Sequence, residues 1–324
     1  MTHAIRIHEH GGPEVMKWES VEVGSPNERE VRVRHTAVGL NFIDIYHRTG
    51  LYKIPLPTVI GREGAGVIEA VGSAVNGLKV GDRVAYGAAT IGAYSEARLI
   101  AADRVVNVPA NVTDQQAASI MLKGMTAQYL LRRTYAVKAG DTILVHAAAG
   151  GVGLILCQWA KHLGVNVIGT VGSDEKGKLA KAHGCDYIIN YSTEDFAARV
   201  MEITDGKKCA AVYDGVGKDT FLKSLDCLRP RGIMASFGNA SGKVEPFDLG
   251  ILAAKGSLYV TRPTLDTHVA TREDLVATAN DLFDVVGRGI VKVEINQTYA
   301  LKDAAQAHRD LAARTTTGST VLLP

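Results

Sequence analysis

The pattern with the clearest chemistry in this sequence of 324 residues is a glycine-rich run, residues 147–153. It follows the apolar stretch 142–146 and opens a segment with helical apolar spacing. A strand that turns through glycines into a helix brings the backbone close to an anion, because the first helical N–H groups and the positive end of the helix dipole point there. A second apolar stretch at 165–170 completes a strand–helix–strand unit, so we predict that the anion is a dinucleotide pyrophosphate.

The residues after the second stretch bear on the choice between NADH and NADPH. In an NAD site, an acidic side chain about 20 residues beyond the glycines accepts hydrogen bonds from the adenosine ribose. Here Gly172 and Ser173 are small and uncharged, which leaves room for a 2′-phosphate, and the Lys176 ammonium is placed to neutralise it. Asp174 or Glu175 in the NAD role is the competing interpretation. The pattern favours NADPH.

The other reactive side chains indicate no second chemistry. The four cysteines are Cys157, Cys185, Cys209 and Cys227. They lack C-x-x-C spacing, which argues against structural zinc and disulfides and for thiols in a reducing cytosol. None of the ten histidines pairs at ligand spacing with another ligand type. Neither Ser119 nor Ser236 has a His–Asp arrangement around it, so nucleophilic hydrolysis has no support.

Composition excludes several classes of partner. Lys+Arg 36 against Asp+Glu 34 gives a net charge of +2, which provides no general electrostatic case for nucleic acid or a membrane surface. No N-terminal apolar run fits a signal peptide, and no stretch approaches the ~20 apolar residues of a membrane span. We expect a cytoplasmic protein that acts on a small molecule.

The elements that position the glycine-rich run fall into two groups. Residues 30–38 and 64–72 predict strands, and residues 79–84 turn tightly into a further strand. Several short strands separated by tight turns are typical of a compact, partly open barrel. From about Thr126, strands alternate with helices, as in a doubly wound parallel sheet. The six predicted strands are 142–146, 165–170, 187–190, 210–214, 232–237 and 257–260.

The alternation stops after about residue 262. A long helix through Leu275 and Val286 and a final strand at 319–323 follow, and we expect this tail to return to the first domain. The prediction is therefore a discontinuous domain, residues 1–125 and 263–324, into which a nucleotide-binding domain, residues 126–262, is inserted.

Further motifs accompany the glycine-rich run, at 38–44, 61–66, 213–217, 237–239 and 256–263. With them the whole chain resembles the medium-chain dehydrogenase/reductase superfamily and, within it, the zinc-free NADPH:quinone oxidoreductases related to zeta-crystallin. The resemblance implies an α/β fold with a Rossmann-type doubly wound parallel sheet domain and a β-rich, GroES-like, partly open barrel domain. It also implies NADPH as cofactor and a quinone as substrate.

The zinc ligands of the alcohol dehydrogenases in that superfamily are replaced at the matching positions. Those enzymes carry a Cys three residues before an Asp, where this chain has Asn41 and Asp44. Their Gly-His-Glu motif reads here with Arg62 in place of the His, and segment 119–126, where a third ligand Cys is expected, has no cysteine. Zinc needs thiolates or neutral imidazoles and a guanidinium repels it, so we predict no bound metal.

Without zinc to polarise an oxygen, the acceptor must take a hydride readily, as quinones and electron-poor alkenes do. We expect zinc-independent transfer of a hydride equivalent from the nicotinamide to a quinone, with transfer of single electrons left open. The nearest alternative is an NADPH-dependent reductase of enones or 2-alkenals. A non-catalytic NADPH- or RNA-binding protein of the zeta-crystallin type is disfavoured, since the local basic cluster Arg132-Arg133 is short and the charge of the chain is nearly balanced.

The resemblance implies two catalytic residues in the first domain. Tyr52 lies in a loop expected at the mouth of the cleft, where its hydroxyl could donate a proton or polarise a carbonyl, or its ring could form only a wall. Asn41 matches a position on the nicotinamide-ribose side, where its amide would donate or accept, or would simply pack a strand end. Asp44 and Tyr46 match positions lining the same side.

The resemblance implies cofactor contacts elsewhere in the chain as well. Those residues are Tyr129, Gly150, Gly151, Val152, Gly172, Ser173, Lys176, Tyr191, Gly215, Phe237, Gly238, Asn239, Arg262, Pro263, Thr264 and Arg314. Lys176 and Tyr191 match the pair that holds the 2′-phosphate in bacterial quinone reductases. The strand at 257–260 would be an unpaired sheet edge, and because superfamily members commonly pair such edges we expect a homodimer.

Overall fold

The structure, a computed structural model, describes residues 2–324. Its strands are β1 (Thr2–Ile7), β2 (Lys17–Val21), β3 (Glu30–Leu40), β4 (Thr58–Val59), β5 (Glu63–Val71), β6 (Arg83–Tyr86), β7 (Ala97–Ala101), β8 (Val106–Asn107), β9 (Thr142–Val145), β10 (Asn166–Val171), β11 (Tyr187–Asn190), β12 (Cys209–Asp214), β13 (Leu228–Ser236), β14 (Tyr259–Thr261), β15 (Ile295–Ala300) and β16 (Ser319–Leu323). Its α-helices are α1 (Phe42–Thr49), α2 (Asp114–Tyr129), α3 (Gly151–His162), α4 (Asp174–Ala182), α5 (Phe196–Ile203), α6 (Phe221–Ser224), α7 (Gly250–Ala254), α8 (Leu265–His268), α9 (Arg272–Gly287) and α10 (Ala304–Ala312).

One compact unit is β-rich and comprises the described part of Met1–Met125 together with His268–Gly287 and Val293–Pro324. Its central strand is β3, in which Val31 and Val33 are buried at 0% exposure while Arg32 and Arg34 face outward onto Glu69. β3 pairs antiparallel with β5 along one edge, and with β7 and β16 on the other edge. This strand-rich unit confirms the β-rich GroES-like class predicted for the first domain.

The second unit, Thr126–Thr267 with Arg288–Lys292, contains a six-stranded sheet in the order β11-β10-β9-β12-β13-β14. Its paired strands are parallel throughout. The chain starts at β9 in the middle, winds outward to β11, then returns and winds to β14 on the other side. That order confirms the doubly wound Rossmann-type sheet, in which ligands bind where the winding reverses, here between β9 and β12.

The last strand of this sheet differs from its predicted position. β14 begins at Tyr259, whereas the sequence predicted a strand over 257–260. Gly256 and Ser257 both have left-handed backbone (φ 108° and 55°), and the Ser257 N–H donates to the Ala253 carbonyl at 3.4 Å. These two residues therefore close α7, and only afterwards does the chain become extended.

Across residues 2–324, none of the helices combines the length and the apolar composition that crossing a bilayer requires.

Candidate active site

The glycine-rich run forms a tight loop between β9 and α3. Ala147 has a left-handed backbone (φ 53°), and its carbonyl accepts the Gly150 N–H at 2.9 Å. A Cβ on Gly153 would lie 2.4 Å from the Ala147 oxygen, so only glycine lets the helix begin this close to the loop. The first helical bond runs from Leu154 to Gly150. The N–H groups of Gly151, Val152 and Gly153 precede it and fit an anion.

A buried histidine fixes the end of β9. His146 is 2% exposed, and its Nδ1 and Nε2 lie 2.9 Å from Thr170 Oγ1 and 2.8 Å from Ser224 Oγ. Burial lowers its pKa, so the ring is neutral and one nitrogen accepts while the other donates. No pattern in the sequence indicates this contact, because a lone histidine after an apolar run has no local partner.

The loops that follow β12 and β13 meet next to the glycine-rich loop that follows β9. Asp214 is fully buried and accepts the N–H groups of Val216 and Gly217 at 2.7 and 3.1 Å. A Cβ on Gly238 would lie 2.3 Å from the Gly215 oxygen, so these two glycines allow the loops to touch. Gly215 and Gly238 both belong to the predicted cofactor set.

Other residues of that set lie around the same sheet. The Arg262 guanidinium donates to the carbonyls of Ser236 and Gly238 at 2.7 and 3.1 Å. The aromatic ring of Phe237 is next to Gly215, and Tyr129 is buried at the end of α2, where burial raises its pKa. The further members are Asn239, half-buried; Pro263, buried; Thr264, exposed; and, in the other unit, Arg314, exposed with a left-handed backbone.

The residues after β10 form a polar turn whose side chains suit a phosphate. Ser173 is the N-cap of α4 and accepts the Lys176 N–H at 3.4 Å, which places Lys176 in the first turn. A Cβ on Gly172 would lie 2.7 Å from Tyr191 Oη, so glycine brings Tyr191 close to this turn. The Asp174 carboxylate accepts a hydrogen bond from Asn190 Nδ2 at 2.9 Å, so one of its oxygens already has a partner within the protein. The arrangement fits a 2′-phosphate better than an NAD ribose.

In the first unit, α1 and the turn after it bring together four predicted residues. Asn41 caps α1, and its N–H donates to Asp44 Oδ2 at 2.9 Å. Gly50 ends the helix with φ 77°, and the Tyr52 N–H then donates to the Tyr46 carbonyl at 3.1 Å. The two tyrosine rings meet edge-on, with centroids 5.2 Å apart.

A buried ion pair holds the Asn41 side chain. Glu63 is 0% exposed and accepts Asn41 Nδ2 at 2.8 Å, the Leu122 N–H at 2.7 Å and Lys123 Nζ at 3.2 Å. Lys123 is itself buried, with 7% of its side chain exposed. Sequence reasoning missed this pair; the available signal was a lysine inside the apolar run of α2.

A second buried chain of polar groups meets α1 at Asp44. Tyr94 Oη lies 3.0 Å from Asp44 Oδ2 and 3.0 Å from His308 Nε2, and His308 Nδ1 lies 3.2 Å from Arg48 Nη1. Burial raises the pKa of Asp44 to about 7 and lowers that of His308 to about 3. Tyr94 and His308 were not among the predicted site residues.

The side chains at the superfamily's zinc-ligand positions do not fit zinc. Asn41 offers an amide that donates to Glu63, and the buried side chain from segment 119–126 that also contacts Glu63 is the Lys123 ammonium. Among residues 2–324, no three His, Cys, Asp or Glu side chains gather as a ligand set. A fixed ammonium and an amide donor repel a cation rather than coordinate it.

Comparison with known proteins places these two units in one family. Residues 27–138 match the alcohol dehydrogenase GroES-like domain, and residues 151–277 match the zinc-binding dehydrogenase family. A quinone oxidoreductase of Pseudomonas aeruginosa is 58% identical over 100% of both chains. The chain belongs to the quinone oxidoreductase family. This family is part of the medium-chain dehydrogenase/reductase superfamily, as the sequence motifs predicted.

Two further relatives widen the comparison. The crystal structure of an Escherichia coli quinone oxidoreductase complexed with NADPH has a TM-score of 0.98 and 50% identity over 100% of both chains. A 2-haloacrylate reductase of a Burkholderia species is 48% identical over 100% of this chain and 99% of its own. Proteins that match this chain over its full length therefore include some named for a quinone as acceptor and one named for a 2-haloacrylate.

Proposed function

We propose that this protein reduces quinones with NADPH, by a mechanism that uses no zinc. The observation that carries the proposal is the full-length likeness to a quinone oxidoreductase solved with NADPH, on a chain whose own phosphate-binding turns fit that cofactor. The inserted domain, residues 126–262, holds NADPH in this proposal. The discontinuous domain, residues 1–125 and 263–324, receives the quinone.

The cofactor contacts proposed here divide by the part of NADPH that they hold. The pyrophosphate lies against the first N–H groups of α3, from Gly151 and Val152, next to Gly150. The 2′-phosphate lies at Gly172 and Ser173, between Lys176 and Tyr191. The nicotinamide half and its ribose are contacted by Asn41, Asp44, Tyr46, Tyr52, Tyr129, Gly215, Phe237, Gly238, Asn239, Arg262, Pro263, Thr264 and Arg314.

NADPH, when bound, supplies the reducing equivalents. The residues of the chain hold the reactants in position and provide hydrogen-bond donors and acceptors. Glu63 accepts from Asn41 Nδ2, so the amide oxygen of Asn41 is turned away from that carboxylate. This fixes which end of the amide a substrate or a ribose hydroxyl would meet. The Tyr52 hydroxyl is proposed to donate a hydrogen bond to the quinone oxygen, which favours the charge that develops there on reduction.

The test is oxidation of the reduced cofactor, followed at its absorbance with chelator-treated protein. NADPH and NADH are each supplied with 1,4-benzoquinone, with a 2-alkenal and without acceptor. We expect loss of NADPH, and not of NADH, that depends on the quinone and survives chelation. Turnover only with the alkenal would reject the quinone proposal.

A second candidate function is reduction of an electron-poor carbon–carbon double bond. The specific observation in its favour is the 2-haloacrylate reductase at 48% identity over the whole chain. Both reactions need an acceptor that takes a hydride equivalent without a Lewis acid. Adding 2-chloroacrylate to the same assay decides whether that relative's reaction is shared.

Replacing Tyr52 by phenylalanine is expected to lower quinone turnover about 10-fold while changing the Kd for NADPH by less than about three-fold, since one hydrogen bond to the reacting oxygen is lost. The ring contact with Tyr46 is kept, because only the hydroxyl is removed. Steady-state kinetics and fluorescence titration of NADPH measure the two effects. Unchanged turnover would leave Tyr52 as a wall of the pocket.

We also propose that two copies pair through the exposed edge of β14, in the reducing cytoplasm that four free thiols suit. Tyr259 on that strand is 61% exposed. Sedimentation velocity is expected to give a dimer for the native chain and a monomer for Tyr259→Lys, because a lysine on the proposed interface strand of each copy would place charge in that interface. A monomeric native chain would reject this assembly.

A further inference from the structure

A chain of hydrogen bonds runs from Arg48 through His308 and Tyr94 to Asp44. Arg48 fixes the donor and the acceptor of each bond in this chain. An arginine has donors and no acceptor, so His308 Nδ1 must accept from Arg48 Nη1. The proton of His308 is therefore on Nε2, which donates to Tyr94 Oη, and the Tyr94 hydroxyl donates in turn to Asp44 Oδ2. The lowered pKa of His308, which follows from burial and from the Arg48 charge, keeps the ring in this neutral form.

The two oxygens of Asp44 consequently differ. Oδ2 accepts from Tyr94 and from the Asn41 N–H. Oδ1 is buried and, among residues 2–324, has no hydrogen-bond partner. A proton on this carboxyl therefore belongs on Oδ1, since Oδ2 already faces two donors. Leaving a buried carboxylate oxygen without a hydrogen-bond partner costs free energy, and a proton on Oδ1 lowers that cost because it removes the negative charge.

The charges near Asp44 act in opposite directions, and burial is what favours its protonated form. The Lys123 ammonium lies 3.2 Å from Glu63, so it is matched there, whereas both partners of Asp44 are neutral donors. A carboxylate at Asp44 would be a second negative charge in a fully buried group served by one ammonium. Burial is the largest cause and raises the pKa of Asp44 to about 7. The hydrogen bonds from Asn41 and Tyr94 and the Lys123 charge lower this pKa, and the Glu63 charge raises it.

We propose that Asp44 is the acid that protonates the reduced substrate, with Tyr94, His308 and Arg48 as the residues that orient it. This rests on the proposed function. A quinone that has accepted a hydride equivalent from NADPH is a quinol anion. The Oδ1–H bond of Asp44 breaks, an O–H bond forms on the anionic product oxygen, and Asp44 is left as a carboxylate. Water returns the proton before the next turnover.

The protonation state is tested without turnover, by infrared difference spectroscopy of the protein against Asp44→Asn. The asparagine keeps an oxygen for the Tyr94 and Asn41 donors, so the two proteins differ mainly by the carboxyl proton. We expect a carboxylic C=O band that disappears with a midpoint near pH 7 and is absent in the variant. Asp82→Asn, at a turn carboxylate that accepts the Lys79 N–H, should keep the band. A native spectrum without the band at pH 6 would overturn the proposal.

The groups that face Asp44 allow a test of the direction in which the titration midpoint of its carboxyl group shifts. Removing the negative charge in Glu63→Gln should move the midpoint to lower pH. Removing the positive charge in Lys123→Met, or the hydroxyl donor in Tyr94→Phe, should move it to higher pH, because each favours the carboxylate. Shifts in the opposite directions would contradict the assignment of the band to Asp44.

The kcat of the enzyme is expected to change with pH at the same midpoint as the carboxyl band of Asp44. Since the protonated form is the active one, kcat with 1,4-benzoquinone should fall as pH rises through it, and the fall should move with the Glu63→Gln and Tyr94→Phe shifts. Asp44→Asn should lose about 100-fold or more in kcat and its pH dependence in this range. An inactive native enzyme would reject the proposed function. An active native enzyme whose folded Asp44→Asn variant keeps turnover and pH profile would overturn the acid role alone.

Discussion

Replacing Glu63 by alanine is expected to lower the free energy of unfolding by about 3–5 kcal/mol, the cost of breaking a buried ion pair from one side. Glu63 is 0% exposed and is the acceptor for Lys123, Asn41 and the Leu122 N–H. Its removal leaves a desolvated ammonium and two buried donors unpaired. Urea unfolding at pH 7, followed by tryptophan fluorescence and far-ultraviolet circular dichroism, measures the change.

A surface ion pair in the same unit is the matched control for this loss. Glu69 lies 3.2 Å from both Arg32 and Arg34, and all three side chains are about one-third exposed or more, so Glu69→Ala should cost about 1 kcal/mol or less. The double variant Glu63→Gln with Lys123→Met should recover part of the loss, since it removes both charges together. A Glu63→Ala protein as stable as Glu69→Ala would mean that water reaches Lys123.

The fold could be predicted where local pattern and topology agree. The alternation of apolar strands and helices after Thr126 predicted a parallel sheet, and the glycine-rich run identified its first turn. The last strand was misplaced because Ser257 adopts a left-handed backbone, which its residue type does not announce. The end of α7 therefore could not be located from periodicity alone.

The residues of the candidate site divide in the same way. Asn41, Asp44, Tyr46 and Tyr52 are close in sequence, so a motif identifies them together, and α1 with its C-terminal turn keeps them together in space. Glu63, Tyr94, Lys123 and His308 come from four distant segments and meet only in the folded unit. Each looks ordinary in its own segment, and their partners are long-range contacts that no spacing rule contains.

The residue with the largest expected effect on cofactor choice is Lys176. Lys176→Ala should raise the Kd for NADPH about 10- to 100-fold, which is the size of one charge-assisted hydrogen bond, and should change the Kd for NADH by less than about two-fold. The reason is that only NADPH carries the 2′-phosphate that the ammonium is proposed to contact. Fluorescence titration with each reduced cofactor measures both constants.

Lys178 provides the control for this variant, since it is an exposed lysine two residues further along α4. Lys178→Ala changes net charge by the same amount, so a general loss of positive potential would weaken NADPH equally in both variants. If Lys176→Ala instead weakened NADH and NADPH alike, the ammonium would not be at the 2′-phosphate. Asp174 is already engaged by Asn190, so such a result would require the turn after β10 to rearrange before an NAD ribose could use that carboxylate.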